Sequence, residues 1–381
     1  MLTGGGSGGH ITPLLAVAHE LKRLKPDTSL IYVGQKGDGL ADIPAAHPDI
    51  DAAYAVHAGK FRRYHGEGLK QVLDVSTVAK NTRDLTRVVR GLAESRRLLN
   101  RLKPDVVFIK GGFVGVPVGL AAAQLHIPFV THDSDAIPGL ANRVIARWAS
   151  AHAVALPKEL YAYPQENTYT VGVPVSEDFV PITTVLQNQY RKALGLDSYK
   201  QILLVTGGGN GAQGLNRLVV RSAEDLLTTY PQLAVVHITG RQHTAETDAA
   251  YRRILSPELM KRLYINGFVT DLYRYSGAAD VIVARGSATN LAEFAVQGKA
   301  CIMIPAPQLV WTMRNTEAMA REGAVISLSE KELQKNVTPL TEACSQLINN
   351  EAMRRRLAVK LSSFAHPEAA RELAELLLKA R

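Results

Sequence analysis

At 381 residues, with 46% apolar residues and a formal net charge of +9, the chain is predicted to form two domains, since one hydrophobic core rarely organises so many residues. It contains no run of eighteen apolar residues and no signal-peptide pattern, which predicts a protein that neither spans a membrane nor is exported. The two distant cysteines, Cys301 and Cys344, exclude a disulfide framework and indicate a reducing compartment.

The positive charge is concentrated between Lys60 and Lys103, where twelve basic residues stand against four acidic ones. Such a run predicts either a solvated helix face or attraction to an anionic lipid surface, at about 1 kcal/mol per basic residue. Because no zinc-finger, RNP or KH pattern accompanies it, no nucleic-acid partner is expected.

Short apolar runs alternate with helix-length amphipathic stretches along the whole chain, which is typical of parallel α/β proteins. The predicted buried strands are 29–33, 105–110, 127–132, 151–156, 201–206, 233–239, 280–284 and 300–305. Residues 173–198 are predicted to link a first domain, 1–172, to a second domain, 199–365. Residues 366–381 predict a terminal amphipathic helix.

Two glycine-rich turns occupy equivalent places in the two halves, TGGGSGGHITP at 3–13 and TGGGNGAQGLN at 206–216. Each follows a predicted strand, a short one in the first case, and precedes a helix. This internal repeat predicts two Rossmann-like domains facing one another across a cleft. The amides of such turns can bind an anion with the dipole of the following helix, and the alternative is a turn that only packs helix on strand.

The first glycine turn lacks the additional residues that two common types of nucleotide-binding site require. Gly34 and Gln35 end the second strand where an NAD site needs an acidic residue, and the Gly-Lys-Ser/Thr of a Walker loop is missing. His10 follows the glycines directly, where an imidazole could act as a base or a hydrogen-bond donor. The alternative for His10 is a capping or packing role.

A third glycine turn lies within 109–122, between a predicted strand and an apolar helix. The amides of Gly111 and Gly112 could bind a second phosphate. The neighbouring apolar residues predict either a lip that contacts lipid or an interdomain contact, and they are Phe113, Val114 and Val116.

Carboxylates mark two further candidate sites. The triplet Asp133-Ser134-Asp135 resembles the D-x-D sequence that binds a divalent metal in some glycosyltransferases, and a surface turn is the alternative. In the second half, the strand 280–284 leads into a turn of small residues, 286–288, and a helix that carries Glu293. The Glu293 carboxylate could accept hydrogen bonds from both ribose hydroxyls of a nucleotide, and a solvated or interdomain glutamate is the alternative.

An ordered set of motifs resembles the MurG family of glycosyltransferases over nearly the whole chain. The motifs are GGGSGGHITP (4–13), KGGFVGVPVGLAA (110–122), HDSDAIPGLANR (132–143), VTGGGNGAQGLN (205–216), GFVTDLYRYSGAADVIVARGSATNLAE (267–293) and RNTEAMAREGA (314–324). The resemblance implies a GT-B fold of two Rossmann-like α/β domains, with the terminal helix crossing back to the first. It also implies transfer of N-acetylglucosamine from UDP-N-acetylglucosamine to lipid I, the undecaprenyl-diphosphate-linked acceptor, at the cytoplasmic face of the cell membrane.

The resemblance assigns roles to individual residues. His10 is implied to assist deprotonation of the acceptor C4 hydroxyl, while Gly5, Gly6, Gly111 and Gly112 bind its diphosphate. Donor contacts are implied for Ser7, Gly8, Gly9, Asp135, Gly209, Asn210, Val269, Ala288, Thr289, Asn290, Leu291, Ala292 and Glu293. Membrane contacts are implied for Arg62, Arg63, Phe113, Val114 and Val116. No cofactor is required, since the amides of 207–211 and a helix dipole can stabilise the leaving UDP.

Five positions depart from the family pattern, in which an asparagine, an arginine, a serine and two glutamines are usual, and they are Asp135, Ser176, Gly209, Trp311 and Thr312. Losing a charge-assisted hydrogen bond costs roughly 1.5–3 kcal/mol. The Asp135 carboxylate would repel a diphosphate unless it were protonated or bridged by a metal such as Mg²⁺. The departures leave other functions open: a relative with another UDP-sugar or lipid acceptor, a UDP-N-acetylglucosamine 2-epimerase, or a non-catalytic sugar-nucleotide-binding homologue.

Overall fold

The computed structural model describes residues 1–6, 8–59 and 75–380, without the side chains of 75–83. The chain divides into two compact units: unit 1 comprises Met1–Ser176 with Glu368–Arg381, and unit 2 comprises Glu177–Pro367. Ser7, Arg62 and Arg63, three of the predicted site residues, lie outside the described residues. Within these ranges, no helix combines the length and the apolar character needed to cross a bilayer.

Unit 1 is built on a parallel sheet with the strand order β3-β2-β1-β4-β5-β6-β7. Its strands are β1 (Leu2–Thr3), β2 (Ile31–Gln35), β3 (Ala52–Val56), β4 (Val107–Ile109), β5 (Phe129–Asp133), β6 (Ala151–Val154) and β7 (Thr168–Thr170). Its helices are α1 (Gly8–Leu24), α2 (Asp42–Ala45), α3 (Val75–Leu102), α4 (Gly115–Gln124), α5 (Leu140–Ile145) and the terminal α16 (Ala369–Lys379). Apolar clusters pack on both faces of the sheet, and its central strands β1, β4, β5 and β6 are fully buried.

Unit 2 is also built on a parallel sheet, with the strand order β10-β9-β8-β11-β12-β13. Its strands are β8 (Gln201–Thr206), β9 (Leu233–Ile238), β10 (Leu263–Asn266), β11 (Val281–Ala284), β12 (Ala300–Met303) and β13 (Ile326–Ser327). Its helices are α6 (Thr184–Ala193), α7 (Gln213–Thr229), α8 (Thr244–Ile254), α9 (Pro257–Met260), α10 (Leu272–Ala278), α11 (Ala288–Gln297), α12 (Val310–Arg321), α13 (Glu330–Lys335), α14 (Thr338–Asn349) and α15 (Glu351–Ser362).

The strand order reverses once in each sheet, between β1 and β4 in unit 1 and between β8 and β11 in unit 2. Open parallel sheets bind their ligands at this reversal, beyond the carboxyl ends of the strands. The glycine-rich segments follow these four strands directly, at 4–9, 110–112, 207–212 and 285–287. The topology therefore brings the predicted motifs together in pairs within each unit.

The terminal helix α16 belongs to unit 1 although the chain has passed through unit 2 before reaching it. Its Leu373 and Leu377 share a core cluster with Leu14 and Leu21 of α1. These residues recur at the helical spacing that places apolar side chains on one face. Burial of that face holds the C-terminal helix on the helix that begins with the first glycine turn.

The prediction of a linker over 173–198 is wrong for most of that stretch. Thr183 caps the start of helix α6, and its side-chain oxygen accepts from the Leu186 amide at 3.2 Å. The Arg191 guanidinium pairs with Asp280 at 2.7 Å and also donates to the Ala278 carbonyl. Polar contacts at long sequence separation, which composition does not reveal, therefore anchor this helix in unit 2.

Candidate functional site

The two glycine turns of unit 1 touch each other at the reversal of its sheet. Gly111 and Gly112 have φ angles of +116° and +82°, which side-chain-bearing residues rarely adopt. A Cβ on Gly112 would lie 2.6 Å from the Gly5 carbonyl oxygen, and a Cβ on Gly111 would lie 3.2 Å from Cε1 of His10. The absence of side chains thus lets the two turns and the imidazole pack into one group, as the resemblance implies for an acceptor site.

His10 stands in the first turn of α1 with its ring against Gly111. The residue keeps some exposure, but its Nδ1 atom is buried without a hydrogen-bond partner in the described part of the chain. Burial and, secondly, the nearby Lys110 ammonium lower the pKa of His10 to about 3, and a hydrogen bond with the Lys110 main chain opposes this shift only in part. The imidazole is therefore neutral at physiological pH, the state that a general base requires.

Asp38 is a residue of this site that the sequence analysis missed. Its Oδ2 accepts from the Gly6 amide at 2.7 Å, and its Oδ1 accepts from the Leu40 amide at 3.1 Å. A Cβ on Gly5 would lie 2.9 Å from the same carboxylate oxygen. The Asp38 carboxylate thus already accepts the hydrogen bond of the Gly6 amide, which the resemblance assigns to the acceptor diphosphate. The only sequence signal is an acidic residue between Gly37 and Gly39 after the second strand.

Replacing Asp38 with asparagine is expected to tighten the binding of inorganic pyrophosphate about three- to tenfold, because it removes an anion that competes for the Gly6 amide. Isothermal titration of the full chain measures this change. Asp42→Asn, an exposed acid just outside the same loop, is the matched control and should leave the affinity unaltered. Weaker binding in Asp38→Asn than in the control variant would contradict the expectation.

The first aspartate of the D-x-D triplet, Asp133, has a structural role. Buried Asp133 accepts hydrogen bonds from the Gly139 amide (2.8 Å), Asn142 Nδ2 (3.1 Å) and the Tyr163 hydroxyl (2.8 Å). Burial raises the pKa of Asp133, and these hydrogen bonds act against that rise. Asp133 therefore fixes the loop before α5. Among the described residues, no group of three His, Cys, Asp or Glu side chains is arranged to hold a metal ion.

The predicted apolar lip needs correction. Val114 is fully buried in a core cluster under the unit 1 sheet, and Phe113 packs partly buried against the same cluster. Val116 is half-buried in the first turn of α4. Val114 therefore cannot contact lipid, and its apolar character reflects core packing.

In unit 2, two amides of the glycine turn after β8 already donate hydrogen bonds to the turn itself or to the end of β8. The Gly208 amide donates to the Thr206 hydroxyl at 3.2 Å, and the Gly211 amide donates to the Gly208 carbonyl at 2.9 Å. Gly211, with a φ of +72°, also packs backbone to backbone against Gly240. The expectation that every amide of 207–211 is available to the leaving UDP is therefore too broad.

Glu293 lies buried in the second turn of α11, opposite this glycine turn. Its Oε2 accepts from Asn290 Nδ2 at 3.0 Å, and the Asn290 Oδ1 lies 3.7 Å from where a Gly208 Cβ would stand. The Asn290 amide donates to Ser287 Oγ, which caps the helix. Burial raises the pKa of Glu293 to about 8, so without a ligand its carboxyl is mostly protonated at neutral pH.

The segment 288–292, for which the resemblance implies donor contacts, lies at the start of helix α11. Thr289 and Asn290 are buried near the start of α11, and Leu291 packs into a core cluster. Val269 packs partly buried against the same cluster. A donor contact by Leu291 or Val269 is thus restricted to the main chain.

An ion pair that the sequence analysis also missed fixes the turn before α11. Arg285 and Glu330 are both largely buried and form a two-pronged pair, with distances of 2.6 Å and 3.1 Å. Arg285 also donates to the Ile304 carbonyl at 3.1 Å. A Cβ on Gly214 would collide with this pair, so the pair lies directly beside α7. Two buried charges are stable in such a place because each satisfies the other.

Helix α12 carries two of the positions that differ from the family pattern, Trp311 and Thr312, and it lies next to the same turn. The main chain of Thr312 and the side chain of Thr316 approach Gly286, which has a φ of +70°. The Thr312 hydroxyl donates to the Leu309 carbonyl at 2.8 Å, whereas Trp311 is 41% exposed. Thr312 therefore stabilises its own helix, and Trp311 presents an indole to solvent at the start of α12.

Comparisons with known proteins match both halves of the chain. Residues 1–154 match the family model of the glycosyltransferase family 28 N-terminal domain, and residues 202–373 match that of the C-terminal domain. A solved structure, the Acinetobacter baumannii MurG, covers 100% of the chain and 98% of its own, with a TM-score of 0.67 and 22% identity. The UDP-GlcNAc 2-epimerase of Neisseria meningitidis covers 99% of both chains with a TM-score of 0.68 and 17% identity. These two likenesses show the GT-B fold.

Two curated relatives carry the name UDP-N-acetylglucosamine–N-acetylmuramyl-(pentapeptide) pyrophosphoryl-undecaprenol N-acetylglucosamine transferase. The protein of Symbiobacterium thermophilum is 32% identical over 99% of this chain and 95% of its own length. The protein of Bacillus pumilus is 30% identical over 99% of this chain and 98% of its own length. The chain therefore belongs to this family of transferases, within glycosyltransferase family 28.

Proposed function

We propose that the protein transfers N-acetylglucosamine from UDP-N-acetylglucosamine to the C4 hydroxyl of the muramyl sugar of lipid I, with inversion at the anomeric carbon. The observation that carries this proposal is the neutral His10 imidazole against Gly111, where both glycine turns of unit 1 meet. A base beside an anion-binding turn suits an acceptor that carries a hydroxyl nucleophile on a diphosphate. Membership of the transferase family over the full chain supports the same assignment.

In this mechanism His10 takes the proton from the acceptor C4 hydroxyl as its oxygen attacks the anomeric carbon of the donor. The new bond forms between that oxygen and the anomeric carbon, while the bond from this carbon to the UDP oxygen breaks. Attack from the side opposite to the leaving group turns an α linkage into a β linkage. The amides of Gly5, Gly111 and Gly112 hold the acceptor diphosphate, while the Gly6 amide donates to Asp38.

The donor is held by unit 2 in this proposal. Glu293 accepts from the ribose hydroxyls, and the turn after β8 receives the diphosphate with the N-terminus of α7 behind it. Ala212 precedes α7 and has no side-chain oxygen to cap it, which suits an anion in that place. This scheme needs no metal or other cofactor, because amides and the helix dipole stabilise the charge on UDP.

We further propose peripheral binding to the anionic cytoplasmic face of the cell membrane through helix α3. Two apolar side chains one turn apart on this helix, Leu85 and Val89, are 53% and 61% exposed. Exposed arginines accompany them along the helix at Arg90, Arg96 and Arg97. Apolar side chains with flanking cations are the combination that holds a helix in an anionic lipid interface.

A UDP-release assay with UDP-N-acetylglucosamine and a water-soluble lipid I analogue tests the transfer reaction. The proposal expects release that depends on the acceptor, with a product in which the new linkage is β. Folded protein that binds UDP-N-acetylglucosamine but releases no UDP with this acceptor would overturn the proposal. Release that is equally fast without the acceptor would overturn it as well, because it would indicate hydrolysis of the donor.

A further inference from the structure

Lys110 is a buried cation that the proposed mechanism does not use. It follows β4 directly, precedes the Gly111–Gly112 pair and is only 2% exposed. Its Nζ donates to Ser134 Oγ at 2.8 Å. Removing an ammonium from water costs several kcal/mol unless nearby groups balance its charge. The position of Lys110 therefore requires negative charge close by.

The loop that receives this hydrogen bond supplies that charge. Ser134 stands between Asp133 and Asp135, and both carboxylates attract the Lys110 ammonium. Burial nevertheless lowers the pKa of Lys110 to about 8, so the side chain remains mainly charged at neutral pH. Asp133 is already held by three hydrogen bonds from its own loop and from Tyr163. Asp135, half-buried at the end of the triplet, exerts the larger attraction on Lys110.

The backbone of Lys110 contacts the other side of the site. Its amide donates at 3.0 Å to the carbonyl of Thr3, the residue before the first glycine turn, and its ammonium adds to the effect of burial in lowering the pKa of His10. The buried His132 donates from its Nε2 to the Gly172 carbonyl at 2.8 Å. Burial and, secondly, the Lys110 ammonium lower the pKa of His132. One residue thus connects the predicted base, the second glycine turn and the acidic loop.

We infer that Lys110 is a positioning residue of the acceptor site, whose ammonium offsets the Asp135 carboxylate and ties the 133–135 loop to the glycine turns. This inference rests on the proposed placement of the acceptor diphosphate at these turns. An uncompensated carboxylate there would repel that diphosphate, and the Lys110 ammonium removes the repulsion without a bridging metal. Lys110 and Asp135 are consequently a coupled pair, in which the lysine is needed because the aspartate is present.

A double-mutant cycle on the full chain tests this coupling with inorganic pyrophosphate as the probe. Lys110→Met is expected to weaken pyrophosphate binding about tenfold, the effect of one unbalanced charge several ångströms away at intermediate dielectric. Asp135→Asn alone should leave the affinity equal or higher. Adding Asp135→Asn to Lys110→Met should restore most of the lost affinity. Independent effects of the two changes, or an absence of pyrophosphate binding in the wild-type protein, would overturn the inference.

Further measurements separate this role from simple support of the fold. Lys110→Arg should retain pyrophosphate binding, and the affinity for UDP-N-acetylglucosamine should not change in either Lys110→Met or Lys110→Arg. If Lys110→Met does not fold, Ser134→Ala removes the anchor of the ammonium and should lower pyrophosphate affinity in the same direction; unchanged affinity would count against the inference. Failure of the wild-type protein to transfer sugar would overturn the proposed function, whereas active protein without Lys110–Asp135 coupling would overturn only this inference.

Discussion

Replacing His10 with alanine is expected to lower kcat for acceptor-dependent UDP release by about 10²- to 10⁴-fold, the usual contribution of a general base. The KM for UDP-N-acetylglucosamine should change little, because the proposal assigns donor binding to unit 2 and His10 belongs to unit 1. Steady-state kinetics with the soluble lipid I analogue measures both constants. The loss should thus affect the chemical step more than donor binding.

The pH dependence gives a second check on His10. Because its pKa is lowered to about 3, the imidazole stays neutral from pH 8 down to pH 5, and its protonation should not reduce kcat/KM in that range. His19→Ala is the matched control, since His19 lies on the same helix, pairs with Asp49 and has no place in the mechanism. Equal losses in the two histidine variants, or an acid limb near pH 6.5 that disappears in His10→Ala, would contradict this account.

The fold could be predicted well because its central strands are buried on both faces. An apolar run such as 201–206 has one consistent environment, and the strand β8 has the predicted bounds. The strand before the first glycine turn comprises Leu2–Thr3. The stretch 173–198 was mistaken for a linker because α6 has no fully buried residue and depends on distant contacts such as Arg191 with Asp280.

The candidate site could be predicted where local sequence determines the chemistry. The glycine turns and His10 lie where a strand ends and a helix starts, and Glu293 lies in the second turn of the helix that follows such a turn, so all are local signals. Asp38 and the Lys110–Asp135 pair could not be found in this way, because their partners are distant in sequence and meet only through the strand order. The predicted lipid contact of Val114 was wrong because the local sequence of an apolar residue after glycines is the same whether its side chain faces lipid or the core.

Replacing Glu293 with glutamine is expected to weaken UDP-N-acetylglucosamine binding by about 10- to 100-fold at pH 9, the cost of losing hydrogen bonds to a charged group. The loss should be much smaller at pH 6.5. Burial raises the pKa of Glu293 to about 8, so at the lower pH the free protein holds a protonated carboxyl. Ribose hydroxyls donate best to the ionised form, which is why the wild-type affinity should increase as the pH rises through 8.

The same raised pKa makes an independent prediction about stability. Between pH 4.5 and 8 the folded protein keeps a proton on Glu293 that the unfolded chain has lost, so this group makes the free energy of unfolding fall as the pH rises through that window. Glu293→Gln removes this dependence because an amide does not titrate. Glu317→Gln, an exposed acid on α12, is the control for both measurements. A wild-type donor affinity that is flat from pH 6.5 to 9 would show that the carboxylate does not receive the ribose, whatever the stability curve shows.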